Sequence, residues 1–242
     1  MPGEKGGKTV LILHGFLQTR DFFTIRRLAD ALNEEGHAVL IPNLSLGIDQ
    51  RQQSLACEAI HTHSLEQDVS EIASWVEWLS DHREEPVTLI GHSAGSLLLL
   101  AYLAKTPGAP VEDTLLVSLI AFAQGPIAKE SEDDRLAAIA HLEHDGDEVY
   151  AYPLAFCDKY VTTPGNYLSY VSWNGEKSLN SLKNLPRRPI VILGGQDQRL
   201  GEDWFPRLKQ AGIEVIEIDG ANHFFNHEHE FDLVDTISER LH

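Results

Sequence analysis

A chain of 242 residues with 43% apolar content is long enough to bury one substantial core and is ordinary for a globular protein. Its 37 acidic against 19 basic residues give a formal charge of −18, which argues against nucleic acid and anionic membrane as partners. Two cysteines, Cys57 and Cys157, are too few for a disulfide framework.

They read as reduced thiols of a cytoplasmic protein, with a single bridge as the alternative. The first eight residues show no signal-peptide apolar core, and the longest apolar run, around residues 97–104, is too short to span a bilayer. The expected partner is a small molecule, and the expected assembly is a monomer or homodimer.

In chain order, Thr9–Leu13 reads as a short buried strand ending in His14-Gly15-Phe16. Phe22, Ile25, Leu28, Ala29 and Leu32 recur at helical spacing and stop at Gly36. Residues 38–41 form a second strand closed by Pro42, and 43–63 is a long connection with little periodicity, of the kind often functional. Ser64 to Gln67 is a capping box opening a helix with Leu65, Val69, Ile72, Val76 and Leu79 inward. Residues 87–91 make the third strand, and the apolar run after it is a buried helix ending at Pro107-Gly108. Further strands are expected at 114–122, 189–193 and 213–218, with a short helix at 202–211 and a closing amphipathic helix marked by Phe231, Val234, Ile237 and Leu241.

Strands alternating with helices imply a parallel sheet with helices on both faces, and ligands bind such sheets at the C-terminal strand ends. One segment, 126–188, is too long for a single crossover helix. It holds five of the six tyrosines and reads as a small helical cap inserted within a single domain spanning 1–242. Aromatic rings in such a cap either line a pocket or form the cap's own core.

Gly91-His92-Ser93-Ala94-Gly95 falls where the third strand turns into its helix. A serine between two glycines at a sharp strand-to-helix turn is the nucleophile-elbow pattern, G-x-S-x-G. The glycines remove side chains that would collide with strand or helix, and the hydroxyl is left exposed above the sheet. A serine hydroxyl needs a base, and the base needs a carboxylate to orient it. On this architecture the order is Ser, Asp or Glu, then His. Asp197, after the fifth strand, and His223, after the sixth, stand where that order requires. An oxyanion needs fixed N–H donors, assigned to the backbone of Ala94 and of Phe16. His14 is expected to brace that loop and, with Tyr152, Phe156, Tyr160 and Phe224, to border the substrate pocket.

Two histidine groups, His61 with His63 and His227 with His229, lack metal-ligand spacing and a third ligand, and read as solvated surface. No metal site is assigned. His92 reads as structural.

With His-Gly-Phe after the first strand, Gly-His-Ser-Ala-Gly at the elbow, Gly-x-Asp after the fifth strand and Asn-His-Phe after the sixth, the sequence resembles the α/β-hydrolase fold superfamily over nearly its whole length. Its elbow is shared by esterases, lipases, thioesterases, C–C bond hydrolases and cofactor-free haloperoxidases. The resemblance implies an α/β-hydrolase fold with a mostly parallel sheet of about six strands, helices on both faces and a small helical cap. Only eight residues precede the first strand, so the sheet is expected in trimmed form. The loop from Pro42 to Asp49 departs from the D-x-P-G-x-G-x-S pattern of many members. Ser93 also departs from the aspartate of haloalkane dehalogenases and epoxide hydrolases. The implied activity is that of a carboxylesterase-like serine hydrolase acting on an ester, thioester or lactone, with no cofactor. The alternatives on the same scaffold are a small-molecule receptor and an acyltransferase.

Overall fold

The computed structural model describes residues 7–241. Residues 1–6, part of the segment read above as lacking a signal-peptide core, lie outside that range, as does His242.

Six strands form one parallel sheet: β1 (Thr9–Leu13), β2 (Ala38–Leu40), β4 (Val87–His92), β5 (Val111–Val117), β8 (Ile190–Gly194) and β9 (Glu214–Ile218), in the order β2-β1-β4-β5-β8-β9. All five pairings between neighbours are parallel. The expected mostly parallel sheet of about six strands is therefore present among the described residues, with helices on both faces.

Every residue of β1 is buried, and successive side chains go to opposite faces of the sheet with the period of two that a strand dictates. Leu11 and Leu13 join the core beneath α2 (Leu65–His82) and α3 (Ala94–Lys105), whereas Val10 and Ile12 join the core shared with α1 (Phe23–Glu34) and α8 (His229–Leu241). Helix α3 is buried on all sides from Ala94 to Tyr102, as its unbroken apolar run requires. Helix α2 begins on the expected capping box, with Ser64 Oγ accepting from Gln67 N–H and Gln67 Oε1 accepting from Ser64 N–H.

The segment between β5 and β8 contains α4 (Glu132–Asp145), α5 (Pro164–Val171) and α6 (Gly175–Asn184), and also a β-hairpin, β6 (Tyr150–Leu154) with β7 (Cys157–Thr162). Pro153 within β6 hides the strand signal, yet β6 is the outer strand of its sheet, where a missing N–H is tolerated. The hairpin turn at Ala155-Phe156 puts Ala155 at φ 51° without the glycine or asparagine that usually marks such turns. On its other side β7 pairs with β3 (Ile60–His61), a two-residue strand from the long 43–63 connection. The two irregular regions thus join into a second, three-stranded sheet.

The expected strand at 114–122 ends instead at Val117. Ser118 takes φ 47° and turns the chain out of the sheet, while Leu119, Ala121 and Phe122 stay buried beneath the inserted segment. Burial without pairing produces the same apolar run as a strand.

Cys57 and Cys157 are bonded to each other across a sequence separation of 100, with Cα atoms 5.4 Å apart. This corrects the reading of reduced thiols. The pairing of β3 with β7 brings the two cysteines together, a proximity no sequence spacing reveals. Disulfides persist in oxidising compartments, so the argument for a cytoplasmic setting loses its footing. Among the described residues no helix is long and apolar enough to cross a membrane.

Candidate active site

Ser93, Asp197 and His223 meet above the C-terminal ends of β4, β8 and β9. Ser93 sits at the junction of β4 and α3 with φ 57° and ψ −123°, a conformation costly for a residue with a Cβ. The elbow is sterically forced. A Cβ on Gly91 would lie 2.6 Å from Ser96 N, and one on Gly95 would lie 2.5 Å from the His14 carbonyl oxygen. Neither position admits a side chain, which is the physical content of the two glycines flanking the serine.

His223 Nδ1–H donates to Asp197 Oδ2 at 2.7 Å, and Ser93 Oγ lies 2.9 Å from His223 Nε2. The carboxylate fixes the tautomer: the proton resides on Nδ1, leaving Nε2 to accept from the serine hydroxyl. Asp197 and His223 are 1% and 4% exposed at their side chains, so this chain of bonds is shielded from water. Asp197 Oδ1 accepts the backbone N–H of Arg199 at 3.0 Å. The His223 carbonyl accepts from His92 Nε2–H and from Ser118 Oγ–H, each at 2.9 Å. His92 therefore braces His223, in keeping with its structural reading. Burial, reinforced by the His223 ring, pushes the His92 pKa down to about 3, which favours the neutral ring.

The loop after β1 lies against Ser93. A Cβ on Gly15 would stand 3.3 Å from Ser93 Cβ. No backbone carbonyl takes the N–H of Phe16 or Ala94 among the described residues. His14 holds this loop: Nδ1–H donates to the Gly15 carbonyl at 2.9 Å, and Nε2 accepts from Leu44 N–H at 3.2 Å. Arg51 extends the brace, with Nε donating to the Leu44 carbonyl at 2.8 Å and Nη2 lying 3.3 Å from His14 Nε2. Burial brings the His14 pKa down to about 4.

The other pocket candidates separate into two groups. The Phe16 ring contacts Phe156 and Tyr160, with centroids 5.8 and 5.7 Å away, and Phe224 packs edge-on against His223 at 5.0 Å. Tyr152 does not join them. It stacks on Tyr167 at 4.4 Å and its hydroxyl bonds His141 Nδ1 at 2.8 Å, so it belongs to the core of the inserted segment, which needs its aromatics to hold together. A cavity of about 10 Å³, room for about one water, adjoins Gly15, Phe16, Ala94 and Tyr170. A cleft of about 910 Å³ opens at the opposite, N-terminal strand ends around Pro110, Arg188 and Glu214, away from all these residues.

His61 and His63 are not solvated; they are 1% and 2% exposed. His61 stacks on Tyr160 at 3.9 Å. His63 Nδ1–H donates to Asp68 at 3.0 Å, the Tyr170 hydroxyl donates to Asp68 at 2.5 Å, and the Tyr160 hydroxyl reaches His63 Nε2 at 3.2 Å. Burial first, and the Asp68 charge second, push both tyrosines well above their usual pKa. One sequence signal for this network existed: Asp68 falls on the apolar stripe of α2 beside Leu65, Val69 and Ile72.

A profile of the Alpha/beta hydrolase family matches residues 10–236. The chain belongs to that family. A search of curated proteins returns no match. Among solved structures, the alpha/beta hydrolase GrgF from Penicillium sp. sh18 aligns with a TM-score of 0.71 at 16% identity, over 99% of this chain and 89% of its own. Est1E from Butyrivibrio proteoclasticus with ferulic acid bound gives 0.70 at 17% identity, over 100% and 92%. The monoacylglycerol lipase of Paleococcus ferrophilus gives 0.69 at 19% identity, over 97% and 95%. At such identities the likeness speaks to the fold.

Proposed function

We propose that this member of the Alpha/beta hydrolase family is a serine hydrolase that cleaves carboxylic esters, with thioesters and lactones as variants of the same chemistry. The observation that carries the reading is the bonded chain Ser93–His223–Asp197, with links of 2.9 and 2.7 Å, ending on a strained, glycine-flanked serine. Esterase and lipase neighbours of the same fold agree with it.

In this reading Ser93 Oγ bonds to the ester carbonyl carbon as its proton passes to His223 Nε2. The carbonyl π pair becomes an oxyanion that accepts from Phe16 N–H and Ala94 N–H. Asp197 keeps the imidazole in register and stabilises its cation. Collapse of the intermediate breaks the bond to the alcohol, which leaves with the proton from His223. Water then attacks the acyl-enzyme, gives a proton to His223, and releases the acid; the proton returns to Ser93. The segment 126–188, fastened to 43–63, serves as a cap over this site.

The test is hydrolysis of p-nitrophenyl esters from acetate to palmitate by wild type and Ser93→Ala. Turnover that peaks at one chain length and disappears in the variant supports the reading; wild-type turnover in Ser93→Ala sinks it.

A further inference from the structure

Besides the Ser93–His223–Asp197 chain, a cationic group stands at the same mouth: Arg199. Its backbone N–H is committed to Asp197, but its guanidinium forms no ion pair and donates no hydrogen bond among the described residues. Several arginines of this acidic chain rest on carboxylates, among them Arg26 on Asp30, Arg207 on Asp203 and Arg240 on Glu214, and others, such as Arg51 and Arg188, donate to backbone carbonyls. The Arg199 guanidinium carbon instead lies 4.8 Å from the Phe224 ring centroid and 5.7 Å from that of Phe156.

Those two rings border the nucleophile. Phe224 follows His223 in sequence and packs edge-on against it, while Phe156, at the hairpin tip, packs edge-on against Phe16 of the loop beside Ser93. The guanidinium therefore spans the mouth between the loop bearing His223 and the inserted hairpin. A contact with ring faces uses none of a guanidinium's N–H donors, which stay available for a planar anion. Partial burial lowers its pKa and the field of Asp197 opposes that, but among the described residues no hydrogen bond or ion pair joins its guanidinium to Asp197, whose two oxygens take Arg199 N–H and His223 Nδ1–H. On a chain of charge −18 an anion is repelled by the surface at large, and a cation at the mouth offsets that repulsion locally.

We propose that Arg199 is a specificity-determining residue that receives a carboxylate carried by the substrate, so that the preferred esters bear a free carboxylate near the scissile bond. The ester half of this statement rests on the proposed function; the carboxylate half rests on Arg199 alone.

Two substrate pairs test it, one for each side of the ester. Mono-p-nitrophenyl glutarate against p-nitrophenyl valerate places the carboxylate on the acyl side, and 4-carboxyphenyl acetate against phenyl acetate places it on the alcohol side. In wild type, the kcat/KM ratio of charged to neutral ester is expected to exceed one in at least one pair. In Arg199→Gln that ratio falls about tenfold or more, the scale of one charge-assisted hydrogen bond, with partial recovery in Arg199→Lys. A ratio unchanged by Arg199→Gln in both pairs, or equal losses on charged and neutral esters, overturns the proposal; equal losses make Arg199 a fastening between loop and hairpin. Calorimetric binding of monomethyl glutarate to Ser93→Ala, with and without Arg199→Gln, keeps the two readings apart. Binding that depends on Arg199, without turnover of any ester by wild type, upholds the carboxylate site and removes the hydrolase. Ser93-dependent turnover with binding and ratios indifferent to Arg199 does the reverse.

Discussion

The strand ends and the layer above them are held by different kinds of contact. At the strand ends, Ser93, Asp197 and His223 are each delivered by a strand of one parallel sheet and a few residues of loop. In the layer above, the 43–63 connection and the 126–188 segment hold one another through the Cys57–Cys157 bond, the β3–β7 pairing and the network of His63, Asp68, Tyr160 and Tyr170. Those partners meet through loops, whereas the residues that shape the elbow, though equally distant in sequence, are held side by side by the paired strands β1 and β4. A site assembled at strand ends inherits its geometry from the sheet. A covering layer assembled from loops depends on cross-links.

The sharpest way to break the comparison is at Asp197. Asp197→Asn leaves the sheet in place but loses the carboxylate that sets the His223 tautomer, and kcat is expected to fall by about four orders of magnitude. Retention of most activity would mean that another acid orients His223. Next in size, Cys57→Ser with Cys157→Ser frees the covering layer, and chemical denaturation is expected to show a loss of about 2–5 kcal/mol. If the layer is separately held, the double variant opens there first, and hydrogen exchange should rise in β3, β6 and β7 before β4 or β8. Uniform exchange across both regions would show that they are one cooperative unit.

A third test concerns pH and touches both regions. Burial holds His92 at a pKa of about 3, and His14 and His61 at about 4, all below the ordinary value near 6.5. Between about pH 6.5 and 4 the unfolded chain therefore binds protons that the folded chain does not. Stability is full above that window and declines as pH falls through it. Urea midpoints measured at half-unit intervals from pH 7 to 4 check this, and a flat profile contradicts it.

The same division explains what was legible in the sequence. The elbow, Asp197 and His223 could be read because strand, turn and helix signals lie next to them and the fold fixes their order. The six parallel strands followed from apolar runs. In sequence an aromatic in a cap looks the same whether it lines a pocket or packs the cap's own core, and Tyr152 takes the second course, against Tyr167 and His141. His61 and His63 read as surface because their burial depends on Tyr160 and Tyr170, about a hundred residues away. Ser118 gave no sign at all: its role is to turn the chain after β5 and to hold the His223 carbonyl.

The central claim is a covalent acyl-enzyme on Ser93. Intact-mass spectrometry after rapid mixing with a p-nitrophenyl ester, or with a fluorophosphonate where turnover is too fast to trap the acyl form, tests it directly. The account predicts a single adduct that maps to the peptide containing Gly91–Gly95 and is absent from Ser93→Ala. An adduct on another residue, or none with either reagent while the ester is still hydrolysed, would contradict it.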